Sequence, residues 1–283
     1  MRHIVIVYKH GRQDAGSFAG QLKEWLEARD ARVQCRENPE EVETPRSQPI
    51  LRLPDDAEVA IVLGGDGTFL SVARALQDRS TPIIGVNLGG LGFLTEISRE
   101  MCFQDLDEIL AGKYDTEDRM RLQVSIQRGQ REIFRQTVLN DVVINKGALA
   151  RIIDLKATID GRYLTNYRAD GLIVATPTGS TAYNLSAGGP IVYPTARAIV
   201  VTPICPFTLT NRPIILPADV QVQVEMGDRV QDVSLTCDGQ VGSELAPADR
   251  VQIISSPTPL RLIKPQSTDY FEILRTKLKW GQN

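Results

Sequence analysis

The segment 57–75, AEVAIVLGGDGTFLSVARA, constrains the fold more than any other part of the chain. Val59, Ala60, Ile61, Val62 and Leu63 form a short apolar run rich in β-branched residues, which predicts a strand buried on both faces, as in a parallel sheet covered by helices. Gly64-Gly65-Asp66-Gly67-Thr68 follows as a five-residue turn. Beyond it Phe69, Leu70, Val72, Ala73 and Leu76 recur at helical spacing. The turn therefore joins the carboxyl end of a strand to a helix amino terminus, the edge of an open α/β sheet where ligands bind.

The three glycines remove Cβ atoms, so that backbone N–H groups can approach a phosphate closely beside the helix amino terminus. Asp66 is the unusual member of this turn. A carboxylate among phosphate-binding amides is repelled by the phosphate unless it accepts a hydroxyl proton or holds a metal ion. A plain strand–helix turn in which Asp66 caps the helix is the competing reading.

The N-terminal third repeats the same logic. Residues 2–8 (RHIVIVY) predict a second buried strand, and a helix from about Ser17 places Phe18, Leu22, Trp25 and Leu26 on one face. Residues 31–36 predict another strand. Residues 38–56 carry Pro39, Pro45, Pro49 and Pro54 without a clear period and predict a surface loop, whose place before the Asp66 strand also suits a lid. Residues 82–87 form a further strand, followed by the glycine-rich run Leu88-Gly89-Gly90-Leu91-Gly92-Phe93-Leu94. An amphipathic helix at 101–110 closes the α/β part. Neither G-x-G-x-x-G after the first strand nor G-x-x-x-x-G-K-[ST] occurs, so any nucleotide is bound by another device.

After Asp118 short β-type runs alternate with turns. Strands are expected at 121–127, 132–138, 152–159, 162–167, 172–175, 198–202, 220–226, 232–237, 250–255 and 260–263, with a hairpin turn at Asp160-Gly161. The expected architecture is an α/β, Rossmann-like domain at 1–118, rejoined by a C-terminal helix at 266–283, and an antiparallel β-sandwich-like domain at 119–265.

A length of 283 residues, 42% hydrophobic and 24% charged, suits such a chain, and a net charge of −3 argues against nucleic acid or an anionic membrane as partner. Cys35, Cys102, Cys205 and Cys237 show no CxxC pair, and His3 and His10 are the only histidines, which disfavours a zinc site. Scattered cysteines and an amino terminus too short in its apolar run for a signal peptide fit a cytoplasmic location.

Three later stretches hold more polar groups than turns require: 139–143, 167–171 and 176–190. The last carries the hydroxyls of Thr176, Thr178, Ser180, Thr181, Tyr183 and Ser186 among small residues, a composition suited to hydrogen-bonding ribose, phosphate or adenine. Asn140, Asp141 and Asp170 offer donors and acceptors for sugar hydroxyls or an exocyclic amine. Each alone also reads as a turn or cap residue.

GGDGT resembles the signature of the NAD kinase, diacylglycerol-type lipid kinase and 6-phosphofructokinase superfamily. NLGGLGFLTE, LNDVVI, YRADGLIVATPTGSTAYNLSAGGP, TPICP with NRPI, and CDGQ follow in the order of bacterial NAD kinases. The resemblance spans nearly the whole chain. It implies a phosphofructokinase-like first domain and transfer of phosphate from ATP, or polyphosphate, to the adenosine 2′-hydroxyl of NAD, giving NADP. It also implies a divalent cation, Mg²⁺, held by unidentified ligands, and a homodimer or homotetramer. Asp66 corresponds to the proton acceptor, with Gly67 beside the nucleotide. Asn140, Asp141, Arg151, Arg168, Asp170, Thr181, Ala182, Tyr183, Asn184, Leu185, Ser186 and Gln240 correspond to NAD-contacting positions. Asp141 replaces a customary glutamate and Phe207 a common histidine. A lipid or sugar kinase sharing only GGDGT, and a silent NADP-binding sensor, are the alternatives.

Overall fold

The computed structural model describes residues 3–40, 51–90, 92–148, 151–227, 231–266 and 269–281. They form two compact units, one from 3–40, 51–118 and 260–281 and the other from 119–259.

The first unit begins β1 (His3–Tyr8), α1 (Gln13–Glu27), β2 (Arg32–Glu37), β3 (Val59–Leu63), α2 (Asp66–Leu76) and β4 (Ile83–Asn87). It continues with β5 (Ile97–Ser98), α3 (Cys102–Leu110) and β6 (Asp115–Arg119). β1 pairs in parallel with both β2 and β3, and β3 in parallel with β4. Ala15, Phe18, Ala19, Leu22 and Leu26 share one face of α1 and are buried against this sheet with Ile4, Ile6 and Ile61. The helix starts at Gln13, before the expected Ser17, and takes Gly16, a poor helix former, into its first turns. Two other expectations change. The five-residue turn shortens to Gly64 and Gly65, since α2 already begins at Asp66. In the expected surface loop, Leu51 and Leu53 are buried at 7% exposure each, while 41–50 lie outside the described residues.

The second unit runs β7 (Leu122–Arg128), β8 (Arg131–Val138), β9 (Asp141–Lys146), β10 (Ile153–Ile159), β11 (Arg162–Ala169) and β12 (Gly171–Ala175). A 3-10 turn (Thr178–Thr181) and the one-turn helix α4 (Tyr183–Ser186) follow. Then come β13 (Ala198–Ile204), β14 (Ile214–Pro217), β15 (Val222–Met226), β16 (Val233–Cys237), β17 (Val241–Leu245) and β18 (Arg250–Ser255). They build two six-stranded sheets, β11-β10-β15-β18-β7-β8 and β14-β13-β12-β9-β16-β17. All their described pairings are antiparallel. Leu122, Val124 and Leu155 of one sheet and Val142, Leu172, Val174 and Leu235 of the other share a single buried core, so the unit is a sandwich. Asp160 (φ 50°) and Gly161 (φ 74°) form the expected hairpin turn, with positive φ at both central residues.

The chain then returns to the first sheet. β19 (Leu260–Lys264) pairs in parallel with β4, and α5 (Tyr270–Leu278) follows, capped by Asp269, whose carboxylate accepts the Phe271 N–H at 2.9 Å. The complete order is β2-β1-β3-β4-β19-β6, with β5 beside β4. The strand at 260–263 was expected in the sandwich and belongs instead to the parallel sheet. No described helix is long and apolar enough to cross a membrane.

Candidate active site

Strand order places the candidate site of the first unit. β1 leads through α1 to β2 on one side, while β3 lies on its other side, so the chain diverges at the carboxyl ends of β1 and β3 and opens a crevice there. Lys9 and Arg12 follow β1, Gly64, Gly65 and Asp66 follow β3, and Asn87 to Gly90 with Gly92 follow β4. Together with Lys277 of α5 they line a cleft of about 280 Å³.

Asp66 does not cap α2. The cap position is Gly65, and the Asp66 carboxylate turns to the loop after β4, accepting the Phe93 N–H at 3.0 Å and the Leu94 N–H at 3.1 Å. Thr95 Oγ1 lies 3.4 Å from the same carboxylate and accepts from Asn87 Nδ2 at 2.8 Å, while Asn87 Oδ1 accepts the Gly89 N–H at 2.6 Å. Two glycine-rich turns are thus tied together through one carboxylate. The absence of a side chain at Gly92 permits it: a Cβ there would stand 2.3 Å from Asp66 Oδ1 and 2.4 Å from Thr95 Oγ1. Gly67 is exposed in the first turn of α2. Each Asp66 oxygen keeps acceptor capacity after these contacts, so the group can still take a proton.

In the second unit the expected residues fall into two groups at opposite ends of β12. At its carboxyl end, Ala175 pairs with Asp141, and the Thr176 N–H donates to Asn140 O at 2.8 Å. The polar segment then packs over the outer face of the sheet, where Ala187 and Val192 cover Val143, Ile173 and Val200. Several of its hydroxyls brace the segment itself: Thr176 Oγ1 donates to Leu139 O, Ser180 Oγ to Pro177 O, and Thr181 Oγ1 to Thr178 O. Asn184 is fully buried, its amide donating to Ser180 O and Pro190 O and accepting from Thr202 Oγ1 at 2.7 Å. The Asn184 side-chain amide is thus spent on bonds within the unit. Tyr183 (42% exposed) and Ser186 face outward, with Thr181, Ala182 and Leu185 half-buried.

Asp238, which the sequence reading missed, holds the Asn140–Asp141 corner. Its carboxylate accepts the N–H groups of Leu139 (3.0 Å), Asn140 (2.7 Å) and Asp141 (3.2 Å). Gln240 lies two residues further on, in the same turn between β16 and β17, where its N–H donates to Cys237 O. Asp141 is buried at 3% exposure, and burial, aided by the Asp238 carboxylate, pushes its own carboxyl up to about 7. At the amino end of β12, Asp170 approaches Lys146 at 3.6 Å, and Arg168 lies exposed with its guanidinium 4.9 Å from the Phe207 ring centroid. Phe207 thus offers a π face to Arg168 where a histidine is common. Arg151 is exposed just before β10, whose Ile153 pairs with Ala169.

Comparison with known proteins bears on both units. Residues 4–114 match the sequence model of the ATP-NAD kinase N-terminal domain, and residues 139–265 that of the ATP-NAD kinase C-terminal domain. The chain belongs to the NAD kinase family. Within the family, NAD kinase of Syntrophobacter fumaroxidans is 59% identical over 282 residues, covering 100% of both chains. That of Geotalea daltonii is 55% identical over 230 residues, 81% of each. Among solved NAD kinase folds, yeast NADH kinase complexed with NADH superposes with a TM-score of 0.86 at 24% identity, covering 100% of this chain and 89% of that one. An NAD kinase from Archaeoglobus fulgidus in complex with ATP gives 0.76 at 25% identity, covering 98% of each.

Lys9, Arg12, Asn87, Thr95, Asp238 and Lys277 were not singled out from the sequence. NLGGLGFLTE and CDGQ contain three of them, and those motifs were the available signal. Lys9, Arg12 and Lys277 have no motif of their own and become visible only through strand order.

Proposed function

We propose that this chain is an NAD kinase, transferring the terminal phosphoryl group of ATP or polyphosphate to the 2′-hydroxyl of the adenosine ribose of NAD. The observation that carries the mechanism is the lone Asp66 carboxylate, held by two backbone amides at the mouth of a glycine-lined cleft. The hydroxyl oxygen attacks the terminal phosphorus, the bond from that phosphorus to the bridging oxygen breaks, and the shortened donor leaves with the bond electrons. Asp66 receives the hydroxyl proton as the new O–P bond forms. Clamped between α2 and the loop after β4, it supplies alignment as well as basicity.

On the NAD side, Asn140, Tyr183, Ser186 and Gln240 cluster at one end of β12 and present polar groups for the adenosine half. Thr181, Ala182 and Leu185, half-buried in the same segment, are further contact candidates there. Arg151, Arg168 and Asp170, at the other end of β12, are further contact candidates. Among the described residues no three His, Cys, Asp or Glu side chains converge on one point. Mg²⁺ is commonly held by one or two carboxylates together with substrate phosphates, and Asp66 beside the cleft fits that donor set. Such an ion, when bound, neutralises charge on the transferring phosphoryl group.

The test is NADP formation from NAD, ATP and Mg²⁺, read through an NADP-specific dehydrogenase. Asp66→Asn should lower kcat by about 10²–10⁴-fold while NAD affinity changes little. Normal turnover by Asp66→Asn would remove the proton-acceptor role.

A further inference from the structure

We infer that the phosphate chain of the phosphoryl donor is held in a cationic bay formed by Lys9, Arg12 and Lys277, with α5 supplying the third cation. The inference rests on the kinase reading and adds to it the residues of the donor side. All three side chains line the cleft that contains Gly64, Gly65 and Asp66. Charge accounting favours an anion there. Arg12 is bound to Asp14 at 2.6 Å, and Asp14 also lies 3.5 Å from Arg99, so this trio keeps one net positive charge. Lys9 and Lys277 are exposed and have no carboxylate partner among the described residues. Against these stands Asp66, whose carboxylate is turned toward Phe93 and Leu94.

The placement of Lys277 follows from helix geometry. Ile273 and Leu274 are the buried residues of the middle of α5, and Lys277 is four and three residues beyond them, on the same face. That face packs on the unit and carries the ammonium to the rim of the cleft. α5 lies outside both stretches matched by the family models, 4–114 and 139–265. A flexible ammonium on a long stem suits a phosphate chain, which it meets as a point charge, while backbone amides of the glycine turn supply directional bonds.

The test uses Lys277→Ala and Lys277→Arg in the full-length protein, with kinetics in ATP and in NAD and calorimetric titration of a magnesium-loaded, non-hydrolysable ATP analogue. Lys277→Ala should raise both the KM for ATP and the Kd of the analogue about tenfold, the size expected for one charged hydrogen bond. The KM for NAD and the melting temperature should stay within twofold and about 2 °C. Lys277→Arg should restore most of the affinity, and added KCl should weaken analogue binding less in Lys277→Ala than in the wild type. Inorganic tripolyphosphate serves as a second probe. Lys277-dependent binding of both probes assigns the bay to the phosphate chain alone; dependence for the ATP analogue only assigns it to a nucleoside triphosphate. Unchanged ATP parameters in Lys277→Ala, or an equal rise in the KM for NAD, overturns the inference. A wild type that binds the analogue through Lys277 yet makes no NADP would overturn the kinase reading and leave the bay intact.

Discussion

Asp141 shows how one buried carboxyl links site and stability. It is almost inaccessible, with Asp238 beside it, and the folded protein raises its pKa to about 7 from an ordinary value near 4. Between those two values the folded chain holds a proton that the unfolded chain has released. Stability from this group is therefore fullest below about pH 4 and falls as pH rises toward 7, above which the buried charge opposes folding in full. Asp141→Asn keeps the shape and removes the titration. Its melting temperature relative to wild type should climb between pH 5 and pH 8, becoming several degrees higher at the alkaline end. A difference that stays flat across that range would mean that Asp141 is already ionised in the fold.

The clasp between α2 and the loop after β4 depends on close approach of two elements. Gly92 is the point of contact, since an added methyl would lie within 2.4 Å of Thr95 Oγ1 and closer still to Asp66. Gly92→Ala should displace the carboxylate and cost about 10²-fold in kcat, as misplacements of about 1 Å do, with little change in the KM for NAD. An unaltered kcat would show that the position of Asp66 is not critical. Elements also differ in how well their sequence announces them. β3 and β4 are buried on nearly every residue and read as apolar runs. β14 ends in proline and β17 is VGSEL, with a glycine and two polar residues; both are edge strands of their sheet and lack the pattern that central strands carry. β9 was obscured for another reason, because its first residue, Asp141, belongs to a polar motif while Val142 to Ile144 alone form its apolar run.

In the whole molecule the first unit is discontinuous in sequence. β19 lies between β4 and β6 in the sheet, so a fragment ending at Asp118 lacks an interior strand and leaves open for aggregation the part of the β4 edge that β5 does not cover. Residues 119–259 by contrast contain both sheets of the sandwich and its shared core. That fragment should melt cooperatively on its own, while 1–118 should aggregate or remain largely unfolded, as circular dichroism and gel filtration would show. A well-folded 1–118 would mean that β19 is dispensable. The residues alone were enough for the two-part architecture, the glycine turns, the Asp66 position and the polar stretches, because local periodicity, turn chemistry and motif order are written in neighbouring positions. The place of β19, the inward use of the Asn184 amide, the Asp238 grip on Asn140 and Asp141, and the meeting of Lys9, Arg12 and Lys277 were decided by tertiary structure. Each joins residues far apart in the chain or spends a polar group on an internal bond, and strand pairing across the sheet and the demand that buried polar atoms find partners settle both.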